Sequence, residues 1–176
     1  KQKQKAIQSS ESTVRELIKT HTSRSNPRGF VYNKNDELYE QLVDSFPYKE
    51  TSDQEKAINS TVSDMEKNLP MDRLICGGVG FGKTEIALRA IIKAVSTNKV
   101  VFFLSPTTIL ADQHFILAKE RLGPIGVQIE LFSRFKSKSD QKRILQEISC
   151  GALDLVIGTH RLLSPDVFAP SLGLLI

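Results

Sequence analysis

Apolar residues in the first third of the chain recur at helical spacing between polar ones. This pattern predicts a helix over residues 1–24 and a short helix over residues 36–44, because apolar side chains three and four positions apart share one helix face. Between them, a run of serine, asparagine, proline and glycine at residues 23–29 predicts a linker. We therefore expect an N-terminal helix and linker over residues 1–34 and a folded unit over residues 35–176.

A further helix is predicted to begin at Ser52. Ser52 and Glu55 have the spacing of a capping box, in which two side chains satisfy free backbone N–H groups of the first turn. Behind them, Ala57, Ile58 and Met65 fall on one helix face. We expect this face to pack against the rest of the domain.

Beyond residue 72 the pattern changes to short apolar runs separated by amphipathic stretches. The runs predict five strands, at residues 73–76, 100–104, 127–132, 153–157 and 172–176. The stretches between them predict three helices, at residues 83–95, 108–121 and 139–149. Such alternation predicts the α/β fold class, with a mostly parallel sheet covered by helices on both faces.

The composition fits one globular domain with an appended arm. The chain has 176 residues, of which 40% are hydrophobic and 25% charged, as in average globular proteins. Its apolar runs fall far short of the ~18 residues that cross a bilayer, so we expect no membrane partner. The net charge of +4 comes from the first 30 residues, and this excess fits a nucleic-acid contact and a solvated helix surface equally well.

The two cysteines, Cys76 and Cys150, are too few for a disulfide framework in a chain of this size. Both stand beside apolar residues, so we expect them to be small buried groups. A reducing cytoplasm is the expected location.

The strongest chemical signal is a glycine-rich loop between a predicted strand and a predicted helix. It fits the phosphate-loop pattern G-x-x-x-x-G-K-[ST] with Gly77, Gly78, Val79, Gly80, Phe81, Gly82, Lys83 and Thr84. Glycines let backbone N–H groups approach phosphate oxygens closely, and the helix N-terminus adds positive potential. Lys83 would reach the β- and γ-phosphates of a nucleoside triphosphate and Thr84 would bind Mg²⁺. These two are the predicted catalytic residues, and Thr84 is the predicted metal ligand.

Upstream of the loop, Gln54 and Phe46 are candidates for binding the base of the nucleotide. A glutamine amide offers both a donor and an acceptor to the edge of adenine, and an aromatic ring offers an apolar or stacking surface. Taken alone, a glutamine in the first turn of a helix is as often simply solvated.

Polar residues also follow three predicted strands at the carboxyl edge of the sheet, where open parallel sheets bind ligands. Small hydroxyls, free N–H groups and cations suit the phosphodiester backbone of a nucleic acid, which can be held without reading bases. The candidates are Thr107, Thr108, Gln113, Arg134, Thr159 and His160. Taken singly, the threonines also fit ordinary helix caps, and the cations near Arg134 also fit a solvated face.

Taken in order, these motifs closely resemble those of superfamily 2 helicase-type motors, specifically the bacterial transcription-repair coupling factors. The matching motifs are F-P-Y-x-E-T-x-D-Q, M-D-R-L-I-C-G-x-V-G-F-G-K-T-E, P-T-T-x-L-A-x-Q-H, S-R-F and G-T-H-R-L-L-S, between about Leu38 and Ile176. Phe81 and Glu85 favour this family over the related RecG-type fork-remodelling helicases. Glu85 is therefore counted with the nucleotide-binding loop. One departure is Gly78, where the family usually has an acidic residue.

The resemblance implies a RecA-like phosphate-loop NTPase lobe in which Gln54 reads adenine and the residues after the strands track DNA. It implies a parent protein that uses ATP and Mg²⁺ to move along double-stranded DNA. That protein would displace RNA polymerase stalled at lesions and recruit excision-repair proteins. In the family, the last predicted strand leads into a D-E-x-x motif. We therefore expect this chain to hold the first part of one motor lobe and to be inactive in hydrolysis by itself.

Other functions stay open at this point. One is a RecG-type DNA helicase, and another is a phosphate-loop enzyme with a small-molecule substrate, which would need a substrate-binding lid. A third is a non-motor binding module in which the basic arm binds a protein and the nucleotide loop is vestigial. The presence of Lys83 and Thr84 counts against the third.

Overall fold

The computed structural model describes Val14, Ile18, residues 29–33 and residues 37–176. Val14 and Ile18 are helical and exposed. The remainder of the helix predicted over residues 1–24, and nearly all of the linker at residues 23–29, lie outside the described residues.

Five α-helices lie within residues 37–176. They are α1 (Glu37–Asp44), α2 (Ser52–Met65), α3 (Lys83–Val95), α4 (Thr108–Leu122) and α5 (Lys138–Cys150). Two short 3₁₀ helices, Gly123–Ile125 and His160–Leu163, follow α4 and the third strand. The helices predicted between residues 36 and 149 are therefore present, with ends displaced by at most one residue. None of the described helices is long and apolar enough to span a membrane.

Four strands form one sheet. They are β1 (Val100–Leu104), β2 (Ile129–Phe132), β3 (Leu155–Gly158) and β4 (Leu172–Leu175). Their order is β2-β3-β1-β4, and all three strand pairs are parallel. The predicted α/β class with a parallel sheet is confirmed.

Side chains of β1 alternate between the two faces of this sheet, as a strand buried on both sides requires. Val101 and Phe103 belong to a core with α3 and α4, and Val100 and Phe102 belong to a second core with α5. Burying each of these side chains fully stabilises the folded state by about 1.5–3 kcal/mol relative to leaving it exposed. The sheet is therefore the central layer of a three-layer sandwich.

The strand predicted at residues 73–76 is wrong. This segment has no regular ladder in the structure, and β4 forms the sheet edge on that side. A cavity of about 320 Å³ lies beside it, lined by Ile75, Ala87 and Leu174 among others. An apolar run becomes a strand only where it pairs with a neighbouring strand, and residues 73–76 pair with none of the described strands.

Two smaller expectations also differ from the structure. The N-cap of α2 is Thr51 rather than Ser52, and Gln54 rather than Glu55 completes the capping box. Thr51 has the extended backbone of a cap residue, and its hydroxyl accepts a hydrogen bond from the Gln54 amide at 3.3 Å. Cys76 and Cys150, expected to be buried, are both exposed.

Gly158, the last residue of β3, lies where a side chain has no room. A Cβ atom there would meet the carbonyl oxygen of Phe132 and the side chain of Leu162. We expect Gly158→Ala to lower the free energy of unfolding by about 1–3 kcal/mol, because the backbones of β2 and β3 would have to move apart to make room for the Cβ atom. Gly123→Ala is the matched control, since that position is helical with nothing within 4 Å, and its effect should stay within about 0.5 kcal/mol. Urea unfolding of both variants measures the difference, and equal losses would contradict this packing.

His114 on α4 gives the fold a pH-dependent element. Its ring packs against Phe103 of β1 at 4.7 Å between centroids, and it lines the same cavity. Burial lowers the pKa of His114 below its ordinary value of 6.5, so between these two pKa values the unfolded chain binds a proton that the folded chain does not. This contribution to stability is present above pH 6.5 and is lost as the pH falls towards the folded-state pKa.

We therefore expect urea unfolding of His114→Gln to depend less on pH between 7.5 and 5.5 than unfolding of the wild-type protein. An imidazole titration of His114 by NMR should give a midpoint below 6.5. A midpoint at or above 6.5 would contradict the burial of this ring.

Candidate functional site

The glycine-rich loop has the backbone geometry that a phosphate loop needs. Gly80 and Gly82 have φ angles of 80° and 71°, in the left-handed region that side chains disfavour. Gly82 is the N-cap of α3 and brings no side chain to the first turn of that helix. The N–H groups of Lys83 and Thr84 are therefore available to bind an anion, whereas the N–H of Glu85 donates to the carbonyl of Gly82.

Lys83 and Thr84 are the first two residues of α3. The ammonium group of Lys83 donates to the carbonyl oxygens of Gly77 and Gly78, at 2.8 and 2.5 Å. It therefore lies across the mouth of the loop, where phosphate oxygens could replace these carbonyls as acceptors. Thr84 is half-buried at the helix N-terminus, and both residues line the cavity beneath the loop.

Gln54 is held directly against the phosphate loop. Its side-chain carbonyl accepts from the Thr51 amide at 2.9 Å, and its amide group donates to the carbonyl of Phe81 at 2.9 Å. A Cβ atom on Gly82 would collide with the Gln54 amide nitrogen, so a glycine is needed there for this contact. One N–H and one lone pair of the Gln54 amide stay available for a ligand.

Phe46 lies half-buried between α1 and α2, with its ring near two arginines. The guanidinium carbons of Arg89 and Arg121 are 5.8 and 5.2 Å from the ring centroid. Both arginines bind Glu85, which the sequence grouped with the nucleotide loop. The structure places the Glu85 side chain inside the protein, with 8% exposed, rather than on the open side of the loop.

Arg89 and Arg121 are functional candidates that sequence reasoning missed. Glu85, Arg89 and Lys93 recur every four residues along α3, on a face that is buried against α1 and α2. Charged residues at core-facing spacing are the signal that could have identified them. Burial lowers the pKa of Arg89, but the hydrogen bonds and charges of Glu85 and Tyr39 together outweigh burial and hold that pKa above its ordinary value.

The nucleic-acid candidates lie along one edge of the sheet. Leu104, Gly158 and Phe132 are partners in neighbouring strands, so β1, β3 and β2 end level with one another. The chain then continues into Thr107 and Thr108 after β1, Arg134 after β2, and Thr159 and His160 after β3. Since α3 runs back to the start of β1, its N-terminus and the phosphate loop lie at this same edge.

The side chains along this edge differ in what they already bind. The hydroxyl of Thr107 caps α4 by accepting from the Leu110 amide at 3.2 Å. Thr159 precedes its 3₁₀ helix without a side-chain cap bond. Arg134 is exposed and stacks on Phe135 at 5.2 Å, and Gln113 and His160 are exposed. Thr107 is thus partly a cap, whereas Arg134 and His160 present polar groups to solvent.

The chain is similar in sequence and in fold to known proteins. A family model described as DEAD/DEAH box helicase matches residues 51–172. Transcription-repair-coupling factors of Haemophilus influenzae and Escherichia coli are 44% and 45% identical over 100% and 99% of this chain. The chain spans 15% of the length of each.

A solved structure of RecG bound to a three-way DNA junction superposes with a TM-score of 0.83. It is 32% identical, and the match covers 89% of this chain and 22% of that one. The predicted resemblance to superfamily 2 motors and the coupling factors is therefore confirmed at the level of sequence. This chain belongs to the DEAD/DEAH box helicase family.

Proposed function

We propose that this chain is the nucleotide-binding part of an ATP-dependent motor that moves along double-stranded DNA. The observation that carries the proposal is the hydrogen bond from Gln54 to the Phe81 carbonyl. It joins a residue suited to reading adenine to the loop suited to holding phosphates. One ligand that contains both parts, ATP, would fill both positions.

The phosphates would be bound mainly by backbone. Free N–H groups at the start of α3 provide fixed partial positive charge, and Lys83 adds a full charge once it exchanges the carbonyls of Gly77 and Gly78 for phosphate oxygens. Gly78 contributes backbone to this arrangement, so the departure from the usual acidic residue leaves the binding groups in place.

The residues at the start of α3 also fit a Mg²⁺ ion that accompanies the nucleotide. The Thr84 hydroxyl at the helix N-terminus is an oxygen donor of the kind that Mg²⁺ prefers. When bound, the ion would neutralise charge on the phosphate oxygens. Thr84 would hold it, and Lys83 would orient the terminal phosphate.

The level strand ends would form the DNA surface. Their distance from one another is fixed by the sheet, so small movements of the lobe would move all of them together along a phosphodiester backbone. Thr159, His160 and Arg134 are among the side chains with unused polar groups there. Contacts of this kind depend on phosphates rather than base identity.

For the whole protein, we infer displacement of stalled RNA polymerase and recruitment of excision-repair proteins in the cytoplasm. The names of the relatives from Haemophilus influenzae and Escherichia coli, transcription-repair-coupling factor, support this inference. A fork-remodelling helicase is the second candidate, and the fold match to RecG on a DNA junction favours it. Displacement of a stalled polymerase by the purified protein distinguishes the two.

Lys83→Ala tests the nucleotide site. We expect the affinity for Mg-ATP to fall by about 10- to 100-fold, because a charge-assisted contact to phosphate is removed. Isothermal titration of the purified protein measures it. Lys142→Ala, which removes an exposed lysine from α5, is the matched control and should leave the affinity unchanged. Equal affinity of Lys83→Ala and wild type would sink the assignment of the loop.

Arg134→Gln tests the DNA surface. Each phosphate contact releases counterions, so we expect the slope of log affinity against log salt for duplex DNA to fall by about 1, without change in sequence preference. Arg143→Gln is the control, since Glu130 and Glu147 neutralise that guanidinium at 3.1 and 2.8 Å. Fluorescence anisotropy at several salt concentrations gives both slopes. A slope that Arg134→Gln leaves intact would remove this residue from the surface.

A further inference from the structure

A buried cluster of charged residues links the phosphate-loop helix to the segment that holds Phe46. We call Glu85, Arg89, Arg121 and Glu50 the Glu85 cluster. One Glu85 oxygen accepts from Arg89 at 2.7 Å, and the other accepts from Arg121 at 3.1 Å. Arg89 also donates to Glu50 at 2.8 Å.

The cluster lies in the interior, where charges are retained only with good partners. The side chains of Arg89, Glu85 and Arg121 are 4%, 8% and 14% exposed. Removing one partner from such a network leaves the opposite charge buried and unpaired, which is strongly unfavourable. The Glu85 carboxylate is the member that binds both guanidinium groups, so their positions depend on it.

The two guanidinium groups do not lie diametrically opposite each other across the Phe46 ring. A sandwich with one arginine on each face would separate the two guanidinium carbons by the sum of their distances to the centroid. That separation is greater than a single carboxylate can bridge with the hydrogen bonds to Glu85 described above. The cluster therefore does not sandwich the ring between its two arginines. The Tyr48 ring also contacts Phe46, at 5.6 Å between centroids and with 72° between the ring planes.

The cluster also ties this ring to the phosphate loop. Glu85 comes two residues after Lys83. Its backbone N–H donates to the carbonyl oxygen of Gly82 at 2.9 Å, in the first turn of α3. The residue that positions the Phe46 ring therefore lies in the same helix turn as the predicted phosphate-binding residues. A ring fixed in this way can stack on the base of a nucleotide whose phosphates lie on the loop.

We propose that Glu85 is a positioning residue for base recognition, which acts by holding Arg89 and Arg121 against Phe46 so that the ring is fixed for stacking on the adenine of ATP. This proposal rests on the proposed nucleotide site. It gives the Glu85 side chain a role in choosing nucleotides over bare polyphosphates, with no contact to the ligand. If Glu85 had only a structural role, it would stabilise the packing of α1 on the rest of the lobe. It would then have no effect on the preference for nucleotides over bare polyphosphates.

The test compares Mg-ATP with Mg-tripolyphosphate, which has the phosphates but no base. In the purified protein, Glu85→Gln should reduce the ratio of the two affinities by about 3- to 10-fold, the amount that one aromatic stacking contact is worth. The control is Glu147→Gln, which breaks an Arg–Glu pair of the same i,i+4 spacing on the exposed face of α5. Glu147→Gln should leave the ratio unchanged.

Two further variants keep the test decisive. Arg121→Gln leaves the Arg89–Glu85 and Arg89–Glu50 pairs in place, so it should fold even where Glu85→Gln does not, and it should lower the ratio in the same direction. In a Phe46→Leu background, Glu85→Gln or Arg121→Gln should lower the ratio no further, because the effect passes through the ring.

The outcomes separate the two proposals. If the wild-type protein binds neither ligand, the proposed nucleotide site fails and this inference fails with it. If the wild-type protein binds both and the folded variants keep the wild-type ratio, the positioning role alone is overturned. An equal loss with and without Phe46 would also overturn it, since the cluster would then act by another route.

Discussion

The structure depends on one constraint, the parallel pairing that ends β1, β2 and β3 at the same level. Leu104, Gly158 and Phe132 are partners in the register, and Gly158 has no space for a side chain at the point where the strands meet. Parallel strands need helical crossovers, so each strand end is followed by a turn into a helix. The polar residues that follow the strands are therefore gathered along one edge, next to the N-terminus of α3.

A second set of contacts attaches α1 and α2 to that edge. Gln54 donates a hydrogen bond to the loop carbonyl of Phe81, and Glu85 within α3 holds two arginines against Phe46. The first contact is a neutral hydrogen bond near the surface and the second is a buried charge network. Together they attach the segment that holds Phe46 and Gln54 to the glycine-rich loop, although Gln54 and Phe81 are 27 positions apart in the sequence.

The sequence predicted the elements better than it predicted their partners. The helix at Lys83–Val95 and the strand at Val100–Leu104 follow from local periodicity, and both occur at the predicted residues. Residues 73–76 have the same apolar character, but a strand also needs a neighbour, which periodicity does not report. The Glu85 cluster was missed for a related reason, because a charged residue on a helix is ordinarily assigned to the surface.

Hydrogen exchange of the purified protein with and without Mg-ATP tests the central claim most directly. The account predicts that nucleotide protects the amides of residues 77–86 together with those of residues 46–54, since one ligand contacts both. Mg-tripolyphosphate should protect the loop more than it protects residues 46–54. Protection of neither segment by saturating Mg-ATP, or protection of residues 46–54 alone, would contradict the account.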